Sequence, residues 1–421
     1  MSLAWRWLSR LLLALLALIL LLAAIWTYGR LTSPTASQQA AIDLMQRDEP
    51  GEGENGFELL MALPPGPEGG LPAAVRCDER ASCIAAIESA PEASAAAIEA
   101  SRERLEAAAR ALRAPVYRDR RAEYLGRGDE FPSYEGPTNV DSLRAFQFST
   151  GQTAEALDAA CTDTLGAVRW ATDPDVLIDA MIGIAIVHQN AHLIADMRRR
   201  APSDPLPSSC RALAAAPDPA VEGTVCNALR GEWHYQRRMF PELERQMAES
   251  PEWHWSKPIT PIVSDIDWQL AASAQHFASA CSEEARRAAA EDRPHALEAP
   301  PPRWVDRIAF ASSAVLMDIA TPAYRDYSER QLDYVAMRRL LSAFLQMEGM
   351  PVGLSNAERL AGLPAELRGG PRPLVFDGTV NAISVPLRSR RYEQNDNVMR
   401  LTLPVRAPQH NMTPGTVINM D

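Results

Sequence analysis

An unbroken apolar run near the N-terminus constrains this chain more than any other feature. Leu11 to Trp26 carries no charged or strongly polar side chain, and the run continues to Tyr28, a length of about 18 residues. A helix of that length crosses a hydrocarbon layer roughly 30 Å thick. We therefore predict a transmembrane helix over residues 11–28.

A cleaved signal peptide is the alternative interpretation of the same run. Cleavage requires small residues in an A-x-A-like site. Here Ala23 and Ala24 are followed by the bulky Ile25, Trp26 and Tyr28, which fit such a site poorly. The sequence therefore favours an uncleaved anchor.

The charges that flank the run predict its orientation. Arg6 and Arg10 precede it, and Arg30 is the only charge for some distance after it. Cytoplasmic flanks carry the excess of basic residues. We therefore expect residues 1–10 in the cytoplasm and nearly all the rest in the periplasm, as in a single-pass protein of the inner membrane.

Cysteine usage independently favours an exported body. The chain has six cysteines, none in a C-x-x-C motif and none paired with histidine at zinc spacing, so a metal site is not indicated. An even number of cysteines in an exported chain is typical of structural disulfides, here up to three. Cys77 and Cys83 would close a short loop.

The remaining four cysteines lie in segments with helical patterns. Cys210 and Cys226 flank a connection that contains two prolines and a glycine, so we predict a disulfide that joins two neighbouring helices. Cys161 and Cys281 then remain. They form either a long-range bridge or two buried thiols.

Composition excludes some classes of partner. The net charge is −12, and Lys257 is the only lysine. A nucleic acid would be repelled by this charge, so we expect none as a partner. Chemistry that needs a lysine has only Lys257, which lies in no Schiff-base or phosphate-binding motif.

The chain divides into a linker, a helical body and a tail. We predict a linker over 29–56 with one short helix-capable piece around Ala40 to Gln46, an exported α-helical domain over 57–365 and a β-containing tail over 366–421. Small residues around Gly151 are spaced as in tetratricopeptide-like hairpins, but no period of about 34 residues is sustained. The predicted fold class is therefore mainly α: a transmembrane helix, then irregularly stacked helical hairpins, tetratricopeptide-like at most.

The tail has strand patterns. Residues 374–376 and 383–387 flank Asp377-Gly378, a dipeptide typical of hairpin turns. Alternating apolar residues over 398–405 indicate a third strand. We therefore predict a small antiparallel β meander that packs on the helical body, because such a sheet is marginal alone.

Candidate chemistry is sparse. His188 and His192 lie four residues apart on a probable helix, a spacing at which two imidazoles can share a metal, but Gln189 stands where a metalloprotease has its glutamate. We predict a polar helix face there and no metal. No catalytic residue and no cofactor is expected.

A tryptophan and carboxylate region over 232–268 is the second candidate. Exposed tryptophans beside carboxylates can bind glycan, while buried ones fill gaps between helices. The region includes Asp265 and Asp267, a pair that with Glu252 would suit glycoside hydrolysis, although chance neighbours are common among 54 acidic residues. Its members are Glu232, Trp233, His234, Tyr235, Glu252, Trp253, His254, Trp255, Asp265, Asp267 and Trp268, with Trp304 beyond it.

Several segments together resemble uncharacterised membrane-anchored or exported α-helical proteins of proteobacteria. They are Asn55-Gly56-Phe57, the Cys77 and Cys83 pair, the apolar helix from Asp173 to Val187, and the stretch from Ala228 to Gln236. The resemblance implies a helical fold and an envelope location, and it implies no site residues.

The leading functional hypothesis is a non-enzymatic envelope protein whose helical surface binds another protein. Such a protein would serve as an accessory of secretion or envelope assembly, or as a membrane-tethered immunity protein against an incoming toxin. The alternative hypothesis is an envelope glycan-binding or peptidoglycan-hydrolysing protein that uses the region 232–268.

Overall fold

The computed structural model describes residues 3–46, 52–67, 70–73, 75–77, 82–118, 120, 132–249, 265–298, 300–320, 326–351, 353–389 and 397–405. This part of the chain is mainly α-helical, with an apolar N-terminal helix and a small antiparallel sheet near its C-terminal end. The predicted fold class is confirmed. The helices are α1 (Leu3–Leu31), α2 (Ala36–Met45), α3 (Gly56–Met61), α4 (Cys83–Ser89), α5 (Pro91–Arg113), α6 (Glu135–Thr138), α7 (Val140–Ser149), α8 (Thr153–Thr172), α9 (Leu177–Arg200), α10 (Ser208–Leu213), α11 (Pro219–Glu222), α12 (Cys226–Glu249), α13 (Ile266–Ala278), α14 (Glu283–Ala290), α15 (Trp304–Ala309), α16 (Ala311–Ala320), α17 (Tyr327–Glu348), α18 (Asn356–Gly362) and α19 (Ala365–Arg368), and the strands are β1 (Val375–Asp377), β2 (Ala382–Pro386) and β3 (Val398–Thr402).

The α8–α9 hairpin forms the centre of the body. The two helices pack against each other, and they approach closely because Gly183 lies at the contact. A Cβ placed on Gly183 would lie 2.8 Å from the carbonyl oxygen of Ala167. The helix α9 is apolar and long enough to cross a membrane, but 67% of its most apolar window is buried inside the body. A helix that is apolar on most sides and covered by its neighbours is a core helix.

A second layer covers this hairpin. The helix α17 packs on α9, and the sheet packs on α17. Leu340 and Phe344 of α17 share one apolar cluster with Ile383 of β2 and Leu401 of β3. All four side chains are fully buried, and each such burial contributes about 1.5–3 kcal/mol to folding.

Disulfides join elements of the body. The predicted Cys77–Cys83 bond is confirmed, with the two Cα atoms 4.6 Å apart. The other two bonds are Cys161–Cys210, with Cα atoms 5.0 Å apart, and Cys226–Cys281, with Cα atoms 4.7 Å apart. All six cysteines are thus paired.

The predicted Cys210–Cys226 bond is wrong, and so are both alternatives for Cys161 and Cys281. The prediction assumed that helices consecutive in the chain pack together. Instead, α10 packs on α8, whereas α12 packs on α13. Each cysteine therefore lies beside a helix that is distant in sequence.

The sheet is the meander that the alternation predicted. The strand order is β1-β2-β3, and both pairs are antiparallel. Phe376 is opposite Ile383, which is opposite Leu401. The loop between β1 and β2 is longer than a two-residue turn: it runs from Gly378 to Asn381, which adopts a left-handed φ of 48°. The strands therefore begin and end within a few residues of the predicted bounds.

A buried ion-pair network joins the segment before the sheet to the helical body. The guanidinium of Arg372 donates to both carboxylate oxygens of Asp292 and to Oδ1 of Asp333, each at 2.6 Å. Asp333 lies on α17 and is fully buried. Its carboxylate also accepts the backbone N–H groups of Arg388 and Ser389, each at 2.8 Å. The network therefore joins α17 to the chain on both sides of the first two strands.

Two boundaries differ from expectation. The predicted linker 29–56 contains α2, which begins at a capping box of Thr35 and Gln38 and packs on α13 with Met45 buried. The apolar helix that the sequence places from Asp173 to Val187 begins instead at Leu177 and runs to Arg200. The linker segment from 36 to 45 is therefore part of the folded body.

Candidate functional site at the base of the apolar helix α1

The helix α1 meets the body at one end. None of the residues in the most apolar stretch of α1 is buried, whereas the last turns of α1 pack against α15. This junction contains several residues that the sequence analysis had assigned to the tryptophan and carboxylate region. We call this junction, formed by the last turns of α1 with α13, α15 and α16, the anchor base.

Gly29 permits the close approach of α1 and α15. A Cβ placed on Gly29 would lie 2.6 Å from the Cβ of Ala309 and 3.2 Å from the carbonyl oxygen of Val305. Real side chains do not tolerate the shorter distance without a shift of the backbone. A larger residue at position 29 would therefore push α1 away from the body.

Arg30 connects α1 to α13 through an ion pair. Its Nη1 donates to Oδ2 of Asp265 at 3.2 Å, and both side chains are about one quarter exposed. The guanidinium also lies over the rings of Trp26 and Phe310, 4.7 Å and 5.4 Å from their centroids. Cation–π contacts of this kind contribute about 0.5–2 kcal/mol each, depending on desolvation.

Asp265 has a second role at the same place. Its Oδ1 accepts the backbone N–H of Trp268 at 2.9 Å and so caps the N-terminus of α13. The capped helix places the Trp268 ring against Phe310, with centroids 5.1 Å apart and planes at 21°. The ring stack, Ala309 and Ala314 form a small apolar cluster that Trp26 partly covers.

Arg303 forms the other side of the anchor base. It makes a bidentate ion pair with Asp306, at 2.9 Å and 2.6 Å, and its Nη1 donates to the hydroxyl of Thr32 at 3.2 Å. The hydrogen bond to Asp306 raises the pKa of Arg303. The residue therefore stays cationic at any physiological pH and holds α15 beside the end of α1.

Trp233 and Glu232, two other members of the region 232–268, have packing and hydrogen-bonding roles inside the body. Trp233 is buried, and its indole N–H donates to the carbonyl of Leu270 at 2.9 Å. An oxygen of Glu232 accepts the backbone N–H of Leu177 at 3.4 Å, at the start of α9. Trp233 and Trp268 thus present no open ring face, and Trp304 is the exposed one among the described tryptophans of this set.

The remaining described members of this set lie on two helices. His234 and Tyr235 are half-buried on α12, and Asp267 is exposed on the first turn of α13. The second tryptophan stretch, Glu252 to Trp255, and Lys257 lie outside the described residues.

The two histidines lie together on α9. Their ring centroids are 4.9 Å apart, and His188 is buried while His192 is half-buried. In the part of the chain that the structure describes, no group of three or more His, Cys, Asp and Glu side chains is arranged to hold a metal ion. The expected absence of a metal stays a prediction.

A buried carboxyl that sequence inspection did not single out lies on α7. Desolvation by burial raises the pKa of Asp141 to about 7, and the nearby charge of Asp163 adds to the shift. Asp163 itself is neutralised by Arg113 and Arg144, whose Nε atoms donate to it at 2.6 Å and 2.8 Å. The site therefore favours a charged carboxylate at Asp163 and a protonated carboxyl at Asp141.

Asp141 should consequently make the free energy of unfolding larger in mild acid than at neutral pH. Its pKa is raised on folding, so its contribution is full below about pH 4 and is lost as the pH rises through about 7. The loss is on the order of 4 kcal/mol for a shift of about three units. Thermal melts of the Asp141→Asn variant across this range should lack that slope, whereas the exposed control Glu103→Gln should keep it. Equal slopes in both variants would contradict the assignment.

Comparison with protein-family models, with curated proteins and with solved structures finds no match to this chain.

Sequence reasoning named Arg30 and Asp265 but missed their pairing at the anchor base. Arg30 and Asp265 are 235 residues apart, so nothing local links them. The N-cap role of Asp265 was predictable from the local sequence, because an aspartate directly before an apolar helical pattern is typical of an N-cap.

Proposed function

We propose that this chain is a single-pass envelope membrane protein whose exported helical body is a non-enzymatic protein-interaction module. In this proposal residues 1–10 are cytoplasmic and the body lies in the periplasm. The body serves either as an accessory of a secretion or envelope assembly or as a tethered immunity protein. The resemblance to membrane-anchored helical proteins of proteobacteria agrees with this location.

The observation that carries the proposal is the contrast between the two apolar helices. Both are long and apolar enough to cross a membrane, but α9 is covered by the body and α1 is not. Leaving Leu11, Leu13 and Leu20 in water, each more than half exposed, would be costly, because each apolar side chain contributes about 1.5–3 kcal/mol when it leaves water. A bilayer removes that cost.

The disulfides support an exported body. Thiols in the cytosol are kept reduced, whereas disulfides persist in oxidising compartments such as the periplasm. Two of the three bonds join segments far apart in sequence, with separations of 49 and 55 residues. Such bonds suit a body that must stay folded without cytosolic chaperones.

A groove beside the sheet supports a protein partner. It lies between α18, α19 and β1, has a volume of about 570 Å³, and is lined by apolar side chains that include Leu360, Leu374 and Phe376, with Arg368 also in the lining. The strand β1 is an edge of the sheet that the described residues form. Proteins commonly bind an extended segment of a partner along such an edge, and we propose this occupant for the groove.

The location is tested on the full chain with an affinity tag after residue 421. We expect the chain to stay in the carbonate-washed membrane fraction. The body should be cleaved by added protease in spheroplasts but not in intact cells. Release of the chain into the soluble fraction would refute the anchor, and protection in spheroplasts would refute the orientation.

The same tagged chain, solubilised in mild detergent, tests the kind of partner. A stoichiometric protein that is lost from Phe376→Ser but retained by the exposed control Val380→Ser supports the interaction module. Retention of the chain on purified peptidoglycan, without any protein partner, favours the glycan alternative instead.

A further inference from the structure

Three exposed apolar side chains lie on two helices of the anchor base, α15 and α16. Trp304 and Ile308 on α15 are 65% and 37% exposed, and Val315 on α16 is 58% exposed. We call them the apolar patch. Trp304 and Ile308 are four residues apart and therefore share one side of α15, next to the side on which Val305 and Ala309 face α1.

The position of this patch along α1 is fixed by the contacts of the anchor base. Gly29 touches α15, and Arg30 lies over Phe310, between α15 and α16. Twenty residue steps separate Arg10 from Arg30, which is about 30 Å of helix. If Arg10 marks the cytoplasmic boundary of the hydrocarbon, then Arg30 and the two helices lie at the opposite boundary.

We infer that the apolar patch rests in the lipid headgroup region of the outer leaflet, so that the body is seated on the membrane as well as tethered to it. This inference rests on the proposed membrane anchoring. The occupant is lipid because α15, which carries Trp304 and Ile308, packs against the last turns of α1, at the depth where that helix would leave the bilayer. Tyr28 is exposed at the same depth.

The chemistry of the patch fits this depth. Tryptophan and tyrosine are enriched at membrane–water boundaries, where the ring is apolar and its N–H or O–H is hydrated. The polar neighbours are a surface ion pair, Arg307 to Asp318 at 3.2 Å, with both side chains about half exposed. Such a pair would be costly in hydrocarbon, but it is tolerated among headgroups, where Arg307 can also bind phosphate.

Site-specific photocrosslinking tests the inference on the full chain. A benzophenone amino acid is placed singly at Trp304, Ile308 or Val315 and, as an exposed control on β1, at Val375. A fifth chain carries it at Leu16 within α1. Each chain is reconstituted in nanodiscs of phosphatidylethanolamine and phosphatidylglycerol and illuminated, and adducts are identified by mass spectrometry. Because all five positions are exposed, the replacements should leave the fold intact.

We expect phospholipid adducts at Leu16 and at two or more patch positions, and none above background at Val375. Adducts at Leu16 without any at the patch would overturn this inference and leave the anchor standing. The absence of adducts at Leu16 would refute the anchor and the inference together. Adducts that join patch positions to a second copy of the chain would show that protein, not lipid, covers the patch.

Discussion

Replacing Arg372 with methionine is expected to lower the free energy of unfolding by about 3–5 kcal/mol, because it leaves a buried charge without its partner. Asp333 is fully buried, and Arg372 is the cation that pairs with it. Asp292 loses its bidentate partner in the same variant. The two backbone N–H groups that Asp333 still accepts carry no net charge, so they compensate only in part.

Thermal or urea unfolding of the full chain in detergent measures this effect. The matched control is Arg400→Met on β3, an exposed arginine of the same sheet. Surface substitutions of this kind change stability by about 0.5 kcal/mol or less. If the two variants melt at the same temperature, the Arg372 network does not hold the sheet to the body.

Removing the Cys226–Cys281 bond is expected to cost more stability than removing the Cys77–Cys83 bond. In the chain-entropy model, the stabilisation by a disulfide grows with the number of residues in the loop that it closes. A separation of 55 residues corresponds to about 4 kcal/mol, and a separation of 6 residues to about 2 kcal/mol. The Cys161–Cys210 bond, with a separation of 49 residues, should resemble the former. Double alanine variants avoid leaving an unpaired thiol.

Peptide mapping without reduction provides the control for this series. It should recover the Cys77–Cys83, Cys161–Cys210 and Cys226–Cys281 peptides in the parent chain and lose one pair in each double variant. A Cys210 peptide linked to Cys226 would refute the pairing. Equal melting of the short-loop and long-loop variants would refute the dependence on loop length.

The sequence predicted the helices and strands whose patterns are local. The apolar run predicted α1, the small-residue spacing around Gly151 predicted the α7–α8 hairpin, and alternation over 398–405 predicted β3. Each of these depends on residues within a few positions of one another, where the periods of helix and strand are readable. The apolar composition of α9 was readable too, although its burial needed the tertiary structure.

Features that depend on contacts between residues far apart in the sequence could not be predicted. The cysteine pairing failed because it assumed that Cys210 and Cys226 lie on adjacent helices. The anchor base was missed because Arg30 and Asp265 meet only when α13 packs near the start of the chain. Among 42 basic residues, nothing in the sequence distinguishes the buried Arg372 from the exposed Arg400.

The close fit at Gly29 has a mechanical consequence. Because α1 is one continuous helix that is fixed to the body at Gly29, Arg30 and Thr32, rotation of α1 about its own axis is transmitted to the body rather than absorbed by a swivel. In the proposed membrane topology, the groove beside β1 would therefore keep a fixed height above the bilayer and a fixed angle about the axis of α1. A partner within the bilayer that turned α1 would redirect the groove by the same angle.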